Sequence, residues 1–175
     1  AVASEVARVL GGAPIDHFVS AIGFVTVDGP LTTVPLDLFR KSLEDGLFNN
    51  FVAAKTFAPG LKSRAGASYT FVSGGFSHGV FAPPFWMATV KNASVNNLAL
   101  ALASEVGDGP LRVNSACIHM GVNYPGETKN QLGMPIERDT LSLGQAFLGL
   151  AASDSKGAIV CLKEWSDVDA WAAKA

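Results

Sequence analysis

Ser73, the pair Ser77-His78, Lys91, His17 and the two cysteines Cys117 and Cys161 are the side chains whose types could carry chemistry in this sequence. A serine beside a histidine supplies a nucleophile and a base. Acyl transfer also needs an acid to orient the histidine and an oxyanion hole, and a serine adjacent in sequence to its base rarely presents itself to it in space. Ser77-His78 is therefore read as loop, and Ser73, which closes the apolar run Tyr69, Phe71, Val72, as a strand-end serine bonding into the turn. Cys117 and Cys161 form no Cys-x-x-Cys and no histidine pair stands at zinc-site spacing, so both are read as small apolar residues in or beside strands, with no metal site and no disulfide framework. His17 has no carboxylate or cysteine partner at readable spacing and is read as a hydrogen-bonded core or edge histidine. Lys91 sits one turn into an apolar helical stretch, where a lysine either bonds a ligand or snorkels from the helix face.

The elements that must position these groups can be read from periodicity. A strand over Ala67–Val72 is followed by a loop from Gly74 to Pro84, where Pro83-Pro84 blocks helix, then by a helix over Phe85–Val106 and a strand over Leu111–Ile118. The second helix carries Val95, Leu98, Ala99, Leu102 and Val106 on one face. Upstream, Leu36, Phe39, Leu43, Leu47, Phe51 and Ala54 step by three and four and predict a helix over Leu36–Phe57, with Pro35 at its start and Pro59-Gly60 just beyond its end. Before it come a helix over Ala1–Leu10, stopped by Gly11-Gly12, and a strand over Ile15–Ile22. The Gly11-Gly12 pair follows a helix and opens a strand, the reverse of a phosphate-cradling turn. Downstream, Gly121–Asp139 is polar and turn-rich, Thr140–Ala152 is a helix and Ala158–Leu162 a last strand. Asn92-Ala93-Ser94 matches a glycosylation acceptor but falls inside a predicted helix and is discounted.

Composition narrows the class. The sequence of 175 residues is long enough for one domain, 1–175, with a proper core. A hydrophobic fraction of 49% with only 16% charged residues describes strands buried on both faces, which favours α/β. A net charge of -2 without any Lys/Arg run offers nothing to a phosphate backbone, so nucleic acid is not an expected partner. No apolar run approaches the roughly 20 residues of a transmembrane helix.

The order strand, Ser73-Gly74-Gly75, helix with Lys91, then Arg112-Val113-Asn114 opening the next strand, resembles the catalytic half of a short-chain dehydrogenase/reductase. That family places a serine just past a strand, a Tyr-x-x-x-Lys element on the next helix and an Arg-Val-Asn triplet after it. The resemblance runs from about Ala1 to Trp165 and implies a three-layer, doubly wound parallel sheet of Rossmann type, of which this is the second half. It departs from the family at the tyrosine, the asparagine, the Pro-Gly and the glycine-rich turn. Four residues before Lys91 stands Met87, and seven before it Pro84, neither able to exchange a proton. The asparagine position falls on Gly46, with Asn49 and Asn50 on other faces of that helix, and the family's Pro-Gly falls on Ile118-His119. The residues Ser20-Ala21-Ile22-Gly23 stand where the family has Asn-Asn-Ala-Gly. No glycine-rich strand-to-helix turn for a pyrophosphate occurs.

These departures set the expectations. Ser73, Met87 and Lys91 are vestigial catalytic positions, with Lys91 the one residue that would still contact a cofactor. No cofactor is expected, unless an N-terminal βαβαβ half supplies the NAD(P) site. The main expectation is a catalytically inactive accessory or structural subunit of a larger assembly. Its alternatives are an NAD(P)-dependent oxidoreductase completed by that missing half, and a dinucleotide sensor. In the family's strand order the Ile15–Ile22 edge would need cover from a partner protein or from that N-terminal segment. By the same resemblance, helices 36–57 and 85–106 would make a dimer-like contact. A non-methionine start rich in Ala and Gly fits a mature mitochondrial or chloroplast protein after loss of a targeting peptide, and fits a trimmed chain equally.

Overall fold

In the computed structural model, which describes residues 2–23, 29–79, 83–122, 125–127, 129 and 138–175, strands alternate with helices as the hydrophobic pattern requires. The elements are α1 (Val2–Val9), β1 (His17–Ser20), α2 (Leu36–Leu43), a π-helical turn (Glu44–Phe48), α3 (Asn49–Leu61), β2 (Ser68–Gly74), a 3₁₀ turn (Gly75–His78), a second 3₁₀ turn (Pro83–Phe85), α4 (Trp86–Val106), β3 (Arg112–Ile118), α5 (Thr140–Ala152), β4 (Ile159–Leu162) and α6 (Trp165–Ala172). The strands form one sheet in the order β1-β2-β3-β4, every pair parallel. Each crossover passes through a helical segment, as parallel pairing demands.

The two sheet faces carry different cores. Tyr69, Phe71 and Val113 pack with Phe18 against Ala54, Ala58 and Leu61 of α3 and Val95, Ala99 and Leu102 of α4. Val160, Leu162 and Ile118, on the opposite face by the period of two, pack with Leu143 and Ala146 of α5 and Val168 of α6. Helices on both faces of a parallel sheet make this the three-layer α/β arrangement that the composition and the resemblance imply.

Several boundaries differ from the sequence reading. The Leu36–Phe57 helix runs on to Leu61 with Pro59 inside it. One lost backbone bond is outweighed there because Ala58 and Leu61 are buried in the core and Lys62 N–H closes the last turn on the Ala58 carbonyl. β1 is shorter than Ile15–Ile22, and β2 extends through Ser73 to Gly74, so Ser73 lies inside the strand and not past it. α6 has no counterpart in the periodicity reading; a reciprocal capping box between Glu164 and Asp167 starts it. α1 ends as expected, with Gly11 and Gly12 at φ 59° and 81°. Most of the polar segment 121–139, and part of the loops at 24–28 and 80–82, lie outside the described residues. No described helix is long and apolar enough to cross a membrane.

Candidate functional site

The carboxyl ends of β2, β3 and β4 and the start of α4 form the rim where ligands bind in open parallel sheets. Ser73 is buried there, and its hydroxyl donates to Asn96 Oδ1 at 2.6 Å. Ser115, on the neighbouring strand, donates to the same oxygen at 2.7 Å. Asn96, buried on α4, thus ties the helix to two adjacent strands. Ser73 holds the interior together and its proton is already committed.

Met87 and Lys91 share one face of α4, and both are buried, Met87 fully and Lys91 at 4% exposure. The Lys91 stem lies over Gly46 in the π-helical turn: a methyl group added to Gly46 would stand 2.8 Å from Lys91 Cδ and 3.3 Å from Cγ. Asparagine at position 46 could not coexist with this lysine conformation. Four residues on, Asn50 is fully buried and takes over the backbone work of the turn. Its Nδ2 donates to the carbonyls of Gly46 at 2.7 Å and Ile22 at 2.9 Å, and its Oδ1 accepts from Ser20 at 2.7 Å. Asn50 therefore fastens the end of β1 to α3. The sequence reading set Asn50 on another face from position 46; the structure instead brings it one turn on, against the Gly46 carbonyl, through the π-helical turn, and its partner in β1 was not legible.

The Arg112-Val113-Asn114 triplet also has a structural use. Arg112 Nη2 donates to the carbonyls of Gly66 and Ala151 at 2.6 and 2.7 Å. Asn114 donates to Ser155 O at 2.7 Å and accepts from Ala158 N–H at 3.1 Å, pinning the loop from α5 to β4. His17, exposed on edge strand β1, pairs its Nδ1 with Ser68 Oγ at 3.0 Å.

The sequence holds two tyrosines. Tyr69 is sealed in the core between Phe18 and Phe71, and burial pushes its hydroxyl up to about 12, the nearby Ser20 hydroxyl pulling weakly the other way. It cannot serve as a proton donor at the rim. Tyr124 lies outside the described residues.

A second constellation stands beside Ser73. Cys117 and Cys161 are register partners on β3 and β4 and point to the same face, and His119 follows Cys117 by two residues. His78 enters from the 3₁₀ turn, its Nε2 3.6 Å from the sulfur of Cys117 and 3.6 Å from that of Cys161. His119 Nε2 lies 3.4 Å from Cys117 Sγ. Burial, the neighbouring His78 and Lys163 hold His119 below its usual range, with Asp167 opposing; burial and then Cys117 push the Cys161 thiol up. The sequence reading assigned no metal site to these cysteines; the fold nevertheless gathers four donor side chains from three separate segments. The Cys-x-His spacing across the end of the predicted strand Leu111–Ile118 was the signal for half of it.

Comparison with known proteins speaks to the fold. No protein-family model and no curated protein sequence matches the chain. Solved structures do. A short-chain dehydrogenase/reductase from Burkholderia xenovorans overlays with a TM-score of 0.76 at 18% identity, covering 94% of this chain and 68% of that one. A small-chain dehydrogenase in complex with NADPH gives 0.71 at 18%, over 95% and 78% of the two chains. A 3-oxoacyl-[acyl-carrier protein] reductase with bound NAD from Brucella melitensis gives 0.71 at 17%, over 90% and 64%. The chain has the fold of the short-chain dehydrogenases/reductases.

Lys91, the one position where the resemblance implies a cofactor contact, lies buried on α4. Its stem packs on Gly46, Ile118-His119 stand in place of Pro-Gly, and the sequence has no glycine-rich strand-to-helix turn for the pyrophosphate. Chemistry routed through a dinucleotide therefore has no derivable step from these residues.

Proposed function

We propose that the chain takes part in nicotinamide-dinucleotide-linked oxidoreduction as an NAD(P)-dependent oxidoreductase of short-chain dehydrogenase/reductase fold. The observation that carries this reading is the overlay of 90% and 95% of the chain on structures holding NAD and NADPH. The buried Lys91 on α4 supports it. With Met87 in the tyrosine position, the proton comes from another residue or from water. The test is titration of the native full-length chain with NADPH and NADH by nicotinamide fluorescence, followed by turnover of a panel of carbonyl substrates. Binding with turnover supports the reading, and neither would sink it.

A second reading, a catalytically silent accessory subunit, is favoured by a different observation. α2, the π-helical turn, α3 and α4 expose a largely apolar groove lined by Leu43, Leu47, Phe48, Phe51 and Leu98 together with Arg40 and Glu44. Phe48 and Phe51 in this groove are 55% and 46% exposed. On the other flank no described strand pairs with the outer side of β1, where Val19 is exposed. On this reading the groove and the β1 edge are protein contacts. Binding of a dinucleotide without turnover points to a sensor, and absence of binding to the accessory subunit.

A further inference from the structure

We propose that His78, Cys117, His119 and Cys161 form a tetrahedral zinc site at the carboxyl rim of the sheet. Their four donor atoms lie within 4.8 Å of one another. In a Cys₂His₂ zinc site, Zn–S near 2.3 Å and Zn–N near 2.0–2.1 Å set the edge between a sulfur and a nitrogen at about 3.5 Å. The recorded edges are 3.4, 3.6 and 3.6 Å. These three sulfur–nitrogen edges match a tetrahedral ion, and the other three edges lie within 4.8 Å, so the donors would close in on the metal as it binds.

The chemistry of the donor set selects the ion. Two thiolates and two neutral imidazoles in tetrahedral arrangement suit zinc and reject magnesium or calcium, which demand oxygen. Two thiolates cancel the charge of Zn²⁺, so the partly buried site becomes neutral when filled. Ser77 Oγ, 3.2 Å from Cys117 Sγ, can donate to the metal-bound thiolate as an outer partner. His119 is held in place from behind, because its Cγ and Nδ1 stand 2.8 Å from where a methyl on Gly75 would be. Glycine at position 75 leaves the space the imidazole fills.

The site is structural. All four positions are taken by protein, which leaves no open position for water or substrate. Its ligands join β3, β4 and the 3₁₀ turn that follows β2, so zinc would lock the Gly75–His78 turn onto the sheet.

The test uses the tag-free full-length chain, reduced, with Co²⁺ as the spectroscopic probe and Zn²⁺ in competition. One cobalt per chain is expected, with the intense visible bands of a tetrahedral ion and thiolate-to-cobalt charge transfer, both abolished by one equivalent of Zn²⁺. His78→Gln and Cys161→Ser alter an exposed and a half-buried residue. With the fold checked by circular dichroism, each should weaken metal binding by at least about tenfold. Zinc should also raise the Tm of the native chain and leave that of Cys161→Ser nearly unchanged. A pale octahedral cobalt spectrum, substoichiometric metal, undiminished binding in both variants, or a Cys117–Cys161 disulfide that persists under reductant and zinc would each overturn the proposal.

Discussion

The side chain of Lys91 occupies the space above Gly46, with Cδ only 2.8 Å from where a methyl group at position 46 would sit. The absence of asparagine at 46 and the burial of Lys91 are thus one packing arrangement.

Gly46→Ala tests this relationship by its sign. Helix propensity alone would favour alanine by about 1 kcal/mol, whereas overpacking a filled site costs about 1–3 kcal/mol. The expected result is a net loss of about 1 kcal/mol in denaturant unfolding. In a Lys91→Ala background the same change should become stabilising. Equal effects in both backgrounds would show that the two residues are not coupled.

Asn96 accepts from two buried hydroxyls, so truncating it strands both. Asn96→Ala should cost about 2 kcal/mol or more, because each buried unsatisfied group costs about 1–3 kcal/mol and Ser73 and Ser115, 3.4 Å apart, can only partly satisfy each other. Ser73→Ala removes a single donor and should cost about 1 kcal/mol. It should leave any dinucleotide affinity unchanged. A loss of cofactor binding in Ser73→Ala with unaltered stability would return Ser73 to a ligand role.

Tyr69 gives a pH signature. Its folded-state value of about 12 exceeds the ordinary 10.0, so the fold favours the neutral phenol. Its contribution to stability is complete below pH 10 and is lost as the pH rises toward about 12. The hydroxyl completes no hydrogen bond, Ser20 being committed to Asn50. Tyr69→Phe should therefore cost little at neutral pH and should flatten the fall in denaturation midpoint between pH 10 and 12. An unchanged fall would assign it to other groups.

The groove on α2, α3 and α4 predicts association. Phe48→Glu and Phe51→Glu replace exposed residues, so folding should survive. If the helix pair is a protein contact, sedimentation velocity should show the wild-type chain as an oligomer and the double variant as a monomer. Identical behaviour of the two would leave the groove without that role.

How much of this was legible depends on the distance over which each signal acts. Leu36, Phe39, Leu43 and Leu47 announce their helix through spacing alone, and the buried strands β2 and β3 announce themselves by composition. The π-helical turn at Glu44–Phe48 leaves no trace in that spacing, although it sets where Gly46 and Asn50 point. Ser73 could be placed on its strand, but its acceptor Asn96 lies 23 residues on and is defined only when α4 packs on the sheet. The cysteine–histidine cluster draws on residues up to 83 apart in sequence. Its logic is strand register, and register becomes visible only when β3 and β4 are paired.

The measurement that bears most directly on the account is the titration of the native full-length chain with NADPH and NADH, read as nicotinamide fluorescence and repeated on Lys91→Met. The account predicts saturable binding that weakens several-fold in the variant, with turnover of at least one carbonyl substrate. No binding of either dinucleotide by the full-length chain would contradict it and leave the fold as a scaffold.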